Sequence, residues 1–234
     1  MHREDVVISD VQEVLDKHGY TLLQYLNALG RKNAPVLNLC EDAYEKFAQL
    51  YQRLSEGDYN AGEKGKLLEA LVDSLFRDGY GFLFDTHSNW RTSTNEIDVL
   101  LFWTEKARLI GLPSAYSFLG NSILCECKNY KKPVDVTYVG KFASLLHTSD
   151  VKLGIMFAWD GVSGRGKWDA AQGLIKKIAL RDRDYIIIID RHDLRKIYEK
   201  QAHVFSLLYE KYEALKLDTD YEKYIVPHEA NGKL

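Results

Sequence analysis

Apolar positions change their period along the chain. In the first sixty residues they recur every three to four positions, the spacing of amphipathic helices. Ser9 caps an expected helix over Asp10 to Leu15 that Gly19 ends. A second runs over Thr21 to Leu29, closed by Gly30, and a third from Glu41 to Leu54 with Ala43, Phe47, Leu50 and Leu54 on one face. The polar, glycine-bearing stretch Ser55 to Gly62 reads as a lobe boundary. The next helix, Glu63 to Arg77, carries a wide apolar face of Leu67, Leu68, Leu71, Val72, Leu75 and Phe76 and stops at Gly79.

Beyond Gly79 short apolar runs alternate with helical stretches. Strands are expected over Tyr80 to Phe84, Glu96 to Trp103, Ser122 to Lys128, Lys152 to Trp159 and Tyr185 to Asp190. Asp85 to Asn95 reads as a polar loop, and Thr104 to Asn121 as an irregular excursion. Helices are expected over Val136 to Thr148, Lys167 to Leu180 and His192 to Leu215. The unbroken Tyr185 to Ile189 run suits a strand buried on both faces. Strand–helix alternation implies parallel pairing with right-handed crossovers. The expectation is an α/β fold in three parts: a helical N-terminal lobe over 1–61, a core over 62–194 and a C-terminal helix and tail over 195–234.

Composition narrows the class. At 234 residues and 46% hydrophobic, the chain can bury a sizeable core without disulfide staples. No apolar run is long enough to span a membrane, and no signal-peptide pattern opens the chain. Three cysteines make no disulfide framework, and none has zinc-site spacing. Cys125 and Cys127 share one strand face as buried thiols, which points to the cytoplasm. The net charge of −3 excludes a general basic coat. Charge is nevertheless uneven: Ser163 to Arg183 carries six basic and two acidic residues, whereas Glu41 to Asn60 carries five acidic and two basic ones. The first segment suits phosphate; the second is a poor DNA surface and reads as a protein interface on the N-terminal lobe.

Three groups of residues carry candidate chemistry. The strand Ile123 to Lys128 ends in Glu126-Cys127-Lys128, and the strand period of two places Glu126 and Lys128 on one face. Such a pair can be a simple surface ion pair. Asp98 stands inside an apolar run, where an unpaired carboxylate is costly; Glu96 shares its face. Glu69 follows Leu67 and Leu68 on a helix with a wide apolar face, where a solvated position is the plain reading. Together the groups are worth more. Two acids on consecutive strands can converge on a hard cation such as Mg²⁺ or Mn²⁺, and a lysine beside them can hold an attacking water and counter charge on phosphorus.

The order Gly65-x-x-x-Glu69, Glu96-Ile97-Asp98, Glu126-Cys127-Lys128 resembles the PD-(D/E)xK nuclease superfamily, and within it the Mrr-like restriction endonucleases. Supporting text includes Asp78-Gly79-Tyr80, Lys128 to Val134 and Ile186 to Leu194, so the likeness covers about Gly62 to Leu194. Three features depart from the pattern: Ile97 rather than proline before Asp98, the long Thr104–Asn121 excursion, and Phe157 to Gly161 in place of a threonine-rich turn. The resemblance implies a restriction-endonuclease-like core, a mixed central sheet flanked by helices, and a Mg²⁺- or Mn²⁺-dependent DNA endonuclease of restriction or anti-phage defence. It implies Asp98, Glu126 and the Cys127 carbonyl as metal ligands, Lys128 as the catalytic lysine and Glu69 as an acid reaching the metal through water. Two-strand cleavage by one small site implies a homodimer. Arg165 and Lys167, at the glycine-flanked start of the helix after the fourth strand, are the expected phosphate contacts. The competing reading is a catalytically inactive binding or protein-interaction module that keeps the fold.

Overall fold

The computed structural model describes residues 37–91, 96–129, 132–164 and 170–217, together with 13, 15–21 and 24. The chain divides into two units, Met1–Asn38 and Leu39–Leu234. In the first, residues 15–17 are helical and Gly19 has a φ of 70°. Thr21 and Gln24 bond reciprocally: the Thr21 N–H donates to Gln24 Oε1 at 2.7 Å, and the Gln24 N–H donates to Thr21 Oγ1 at 3.2 Å. That is the exchange of a capping box, at the expected second helix start.

The second unit begins with α1 (Glu41–Glu56), so this helix shares a unit with the core although the sequence pattern assigns it to an N-terminal lobe. It buries Ala43, Phe47 and Leu54 and packs on α2 (Ala61–Arg77). Asn60 caps α2 through a capping box with Glu63, satisfying two helix-start N–H groups.

Five strands follow in the order β1-β2-β3-β4-β5: β1 (Phe84–Arg91), β2 (Glu96–Trp103), β3 (Ser122–Lys128), β4 (Leu153–Ala158) and β5 (Tyr185–Ile189). The first three pair antiparallel; β3, β4 and β5 pair parallel. The crossovers are α5 (Val136–Thr148) and α6 (Ala170–Arg181), as strand–helix alternation predicts. Ala158, Ile155, Met156, Phe157 and Ile186 to Ile189 are wholly buried, as a doubly covered parallel sheet requires. Gly154 lies where a Cβ would stand 2.7 Å from the Phe142 ring of α5, so the missing side chain lets helix and strand close up.

Three expectations are corrected. Tyr80 is in a turn, and the strand begins at Phe84 and runs through most of the expected loop to Arg91. As the sheet's edge strand β1 has only its paired side sheltered, so Asp85 to Arg91 lacks the apolar signal that marks a buried strand. The excursion after β2 is ordered as α3 (Glu105–Leu109), α4 (Leu112–Ala115) and a 3₁₀ turn, Ser117–Leu119. The single C-terminal helix is two, α7 (Arg191–Tyr198) and α8 (Val204–Lys216), parted at 199–203, where His203 caps the second through Ser206. Lys211 on α8 is buried. It donates to the Ile188 carbonyl at 2.7 Å and pairs with the Asp193 carboxylate, tying α8 to β5 and α7. No helix of the described residues is long and apolar enough to cross a membrane.

Candidate active site

Antiparallel pairing of β2 with β3 runs from Phe102↔Ser122 to Val99↔Cys125. Asp98 and Glu126 each lie one residue beyond that last pair, at equivalent positions on adjacent strands. There the Asp98 carboxylate takes over from the ladder: its Oδ2 accepts the Cys127 N–H at 2.7 Å. A costly aspartate in an apolar strand is thereby partnered, and the N–H it serves is not left orphaned. Glu126 and Lys128, two residues apart on β3, form an ion pair with side chains only 17% and 16% exposed. The pair is thus largely desolvated rather than a loose surface contact.

The electrostatics tie Glu69 to this group. Burial, then the Asp98 charge, push its carboxyl above the ordinary carboxylate value, against the pull of Lys128. Burial likewise holds Asp98 high, despite the Cys127 N–H and Lys128. Glu126 is raised by burial and then by Asp98, with Lys128 opposing. The four side chains therefore stand close enough for their charges to act on one another. Glu96 is exposed and pairs with Arg91 at 3.6 Å. Cys125 and Cys127 are buried free thiols held well above the ordinary thiol value by burial and then Asp98, which leaves them protonated and inert.

A family model for the catalytic domain of Mrr-type restriction endonucleases matches residues 62–198. The chain belongs to the restriction endonuclease family. It carries that family's mixed five-stranded sheet flanked by helices, within the PD-(D/E)xK superfamily, and is a restriction-type nuclease by its domain. No curated protein and no solved structure gives a significant match.

The restriction endonuclease fold positions the group from three elements. Asp98 comes from β2, Glu126 and Lys128 from β3, and Glu69 from α2. Asn129, which sequence reasoning passed over, is buried and donates through Nδ2 to the Lys64 carbonyl at 3.2 Å. It joins the residue after Lys128 to the first turns of the helix that bears Glu69. The rim continues through Trp159, whose N–H donates to the Lys128 carbonyl at 3.0 Å, and through the parallel Val134↔Val162 bridge. Tyr51 of α1 lies 5.9 Å from the Trp159 ring and stacks at 4.7 Å on Tyr198, so α1 leans on this same rim.

Among the described residues, no three His, Cys, Asp or Glu side chains stand close enough to hold a metal ion by themselves. The expected ligand set asks for fewer: two carboxylates and one backbone carbonyl. Two crowded acids, both raised by burial and Glu126 also by the Asp98 charge, are a donor set that a hard divalent cation would relieve, and the Cys127 carbonyl would add a third oxygen. Arg165 and Lys167 lie outside the described residues. His147 is 78% exposed and stands 3.8 Å from Asp184, beside β5 rather than in this group.

Proposed function

We propose that this restriction endonuclease domain hydrolyses DNA phosphodiester bonds with a divalent metal, Mg²⁺ or Mn²⁺, using Asp98, Glu126, Lys128 and Glu69. The observation that carries the reading is the turn of the Asp98 carboxylate onto the Cys127 N–H beside the desolvated Glu126–Lys128 pair. Asp98, Glu126 and the Cys127 carbonyl would hold the metal, which when bound supplies Lewis-acid polarisation of the phosphate and a more acidic water. The Cys127 N–H fixes the Asp98 carboxylate through Oδ2 and leaves Oδ1 for the ligand. Lys128 orients the attacking water and offsets the negative charge that grows on the phosphate oxygens in the transition state. Its pairing with Glu126 holds the ammonium at the strand end before substrate arrives. Glu69 adds an acceptor from the α2 side that can keep a water in place.

Arg165 and Lys167 are the proposed phosphate contacts, on the strength of the local basic excess between Ser163 and Arg183. A homodimer accounts for cutting both strands, and defence against foreign DNA is the proposed biological setting. Plasmid cleavage with added Mg²⁺, run beside Asp98→Ala and with the metal chelated, tests the reading. Linear product that both changes remove supports it; cleavage that persists in Asp98→Ala overturns it.

A further inference from the structure

The main chain around Lys128 is held from different sides by different elements. Asp98 of β2 holds the Cys127 N–H, and Asn129 ties the next turn of chain to the Lys64 carbonyl of α2. From the β4 side, the Trp159 N–H donates to the Lys128 carbonyl at 3.0 Å. This last bond is the outermost rung of the β3–β4 ladder. The paired register stops at Lys128↔Ala158, and Trp159 already belongs to the turn that Gly161 completes with a φ of 69°. Pairing resumes only at the Val134↔Val162 bridge. A rung at the end of a ladder opens readily unless something outside the ladder anchors it.

Trp159 has such anchors. Its carbonyl accepts the Arg191 N–H at 3.2 Å, and its half-buried ring meets the Tyr51 ring of α1 at 5.9 Å, tilted by 48°. Tyr51 is itself fixed, stacked on Tyr198 at 4.7 Å and on Phe47 at 6.3 Å. Tyr198 is bound to α1 twice more. The Tyr44 hydroxyl donates to its carbonyl at 2.7 Å, and Gln52 Nε2 donates to its hydroxyl at 2.8 Å. Tyr44, Phe47 and Tyr51 recur at i, i+3 and i+7, so one face of α1 carries the seam. That helix ends at Glu56, before the family-matched region 62–198 begins, yet it belongs to the same compact unit.

We propose that Tyr51 of α1 is a positioning residue for Lys128 and acts through Trp159. The Tyr51 ring holds Trp159 in its turn, the Trp159 N–H holds the Lys128 carbonyl, and this sets the Cα from which the lysine side chain reaches the reacting phosphate. The inference rests on the nuclease reading and deepens it, because the catalytic unit then extends past the family domain to include α1. Tyr51 touches no substrate in this role. Its effect falls on turnover, since a small displacement of a group that acts in the transition state lowers the rate more than it lowers binding.

The test uses the full chain carrying Tyr51→Ala, Tyr51→Phe, Trp159→Ala, the double variant Tyr51→Ala/Trp159→Ala, and Tyr44→Phe. Each is assayed for plasmid cleavage with Mg²⁺ and for amide hydrogen exchange. Tyr51→Ala should lower kcat about tenfold with KM unchanged, a part of the roughly hundredfold that a misplacement of about 1 Å costs. It should also speed exchange of the Trp159 amide about tenfold while amides inside β4 keep wild-type protection. Tyr51→Phe keeps the ring and should restore both readouts. The double variant should lose no more than Tyr51→Ala alone, because two residues acting in series do not add. Tyr44→Phe removes the bond from α1 to Tyr198 and no contact to Trp159, so it should lower the unfolding midpoint and leave kcat unchanged. Should Tyr51→Ala fail to fold, Tyr51→Leu keeps most of the volume without the ring and carries the same expectations. A wild-type kcat in the ring-less variant, faster exchange at all amides alike, or losses that add in the double variant would each overturn the positioning role while wild-type cleavage stands. Absence of cleavage by the wild-type chain overturns the nuclease reading and the positioning role with it.

Discussion

Asp98 accepts the Cys127 N–H at 2.7 Å from the position just past the last β2–β3 pair, so one carboxylate both ends the ladder and faces the site. The two roles separate by substitution. Asp98→Asn keeps an acceptor oxygen for Cys127 and should fold near wild type while losing cleavage. Asp98→Ala should lose cleavage and in addition about 1–3 kcal/mol of stability, the cost of a buried N–H left without a partner. Urea unfolding of the two variants beside a plasmid assay checks this; equal stability would show that water replaces the carboxylate.

Lys128→Ala should abolish cleavage with DNA affinity near wild type, because a group acting on the transition state lowers turnover without lowering ground-state binding. The same substitution removes the charge that opposes burial at Glu126, so the Glu126 carboxyl should titrate higher still. Carboxyl carbon NMR of the metal-free protein reads the second effect. An undiminished cleavage rate would reduce Lys128 to an ion-pair partner.

Lys211 is 1% exposed and has Asp193 and the Ile188 carbonyl around its ammonium. Lys211→Ala should cost about 3–5 kcal/mol, because Asp193 is left charged and buried. Adding Asp193→Asn should restore part of that loss. Chemical unfolding of the two variants decides, and an exposed-pair cost below about 1 kcal/mol would contradict the burial.

Gly154→Ala would drive a methyl into the Phe142 ring and Leu146, both held in the α5–β4 packing. Overpacking of this kind costs about 1–3 kcal/mol. The unfolding midpoint should fall accordingly, and combining it with Phe142→Leu should recover some of it.

Asp73 joins α2 to β1 through Arg77 and Ser88. Burial by itself would raise its carboxyl; the bonds from Arg77 and Ser88 and the Arg77 charge outweigh burial and hold it below the ordinary value. The folded state therefore prefers the ionised form. The stabilisation is present above the unfolded-state value of about 3.9 and is lost as pH falls through the lower folded-state value. Asp73→Asn should flatten the acid limb of stability in that window. Urea midpoints measured from neutral pH downward read it; an unchanged limb would place the acid sensitivity elsewhere.

Much of the fold was legible along the chain because its signals are local. The polar break before α2, the apolar face of α2, the unbroken Tyr185–Ile189 run and the limits of Ser122–Lys128 and Val136–Thr148 each depend on neighbours within a few positions. The spacing of Glu69, Asp98, Glu126 and Lys128 was legible for the same reason: a period of two brings Glu126 and Lys128 together, and a carboxylate amid apolar residues marks itself. Other features depend on what lies across space. Asp85 to Arg91 shows no strand pattern because an edge strand is half solvated, and only pairing with β2 made it one. Beyond the break at 199–203, α8 is anchored through buried Lys211 to partners 18 and 23 residues away, which no local periodicity records. The Asp98 bond to Cys127, 29 residues apart, exists because β2 and β3 stop pairing one residue short of the acids, and the junction of Asn129 with Lys64 spans 65 residues. Residue types and their local periods were thus determined by the sequence alone; which charges meet, which face stays open and which strand forms the edge were decided by packing, because those depend on contacts between segments far apart in the chain.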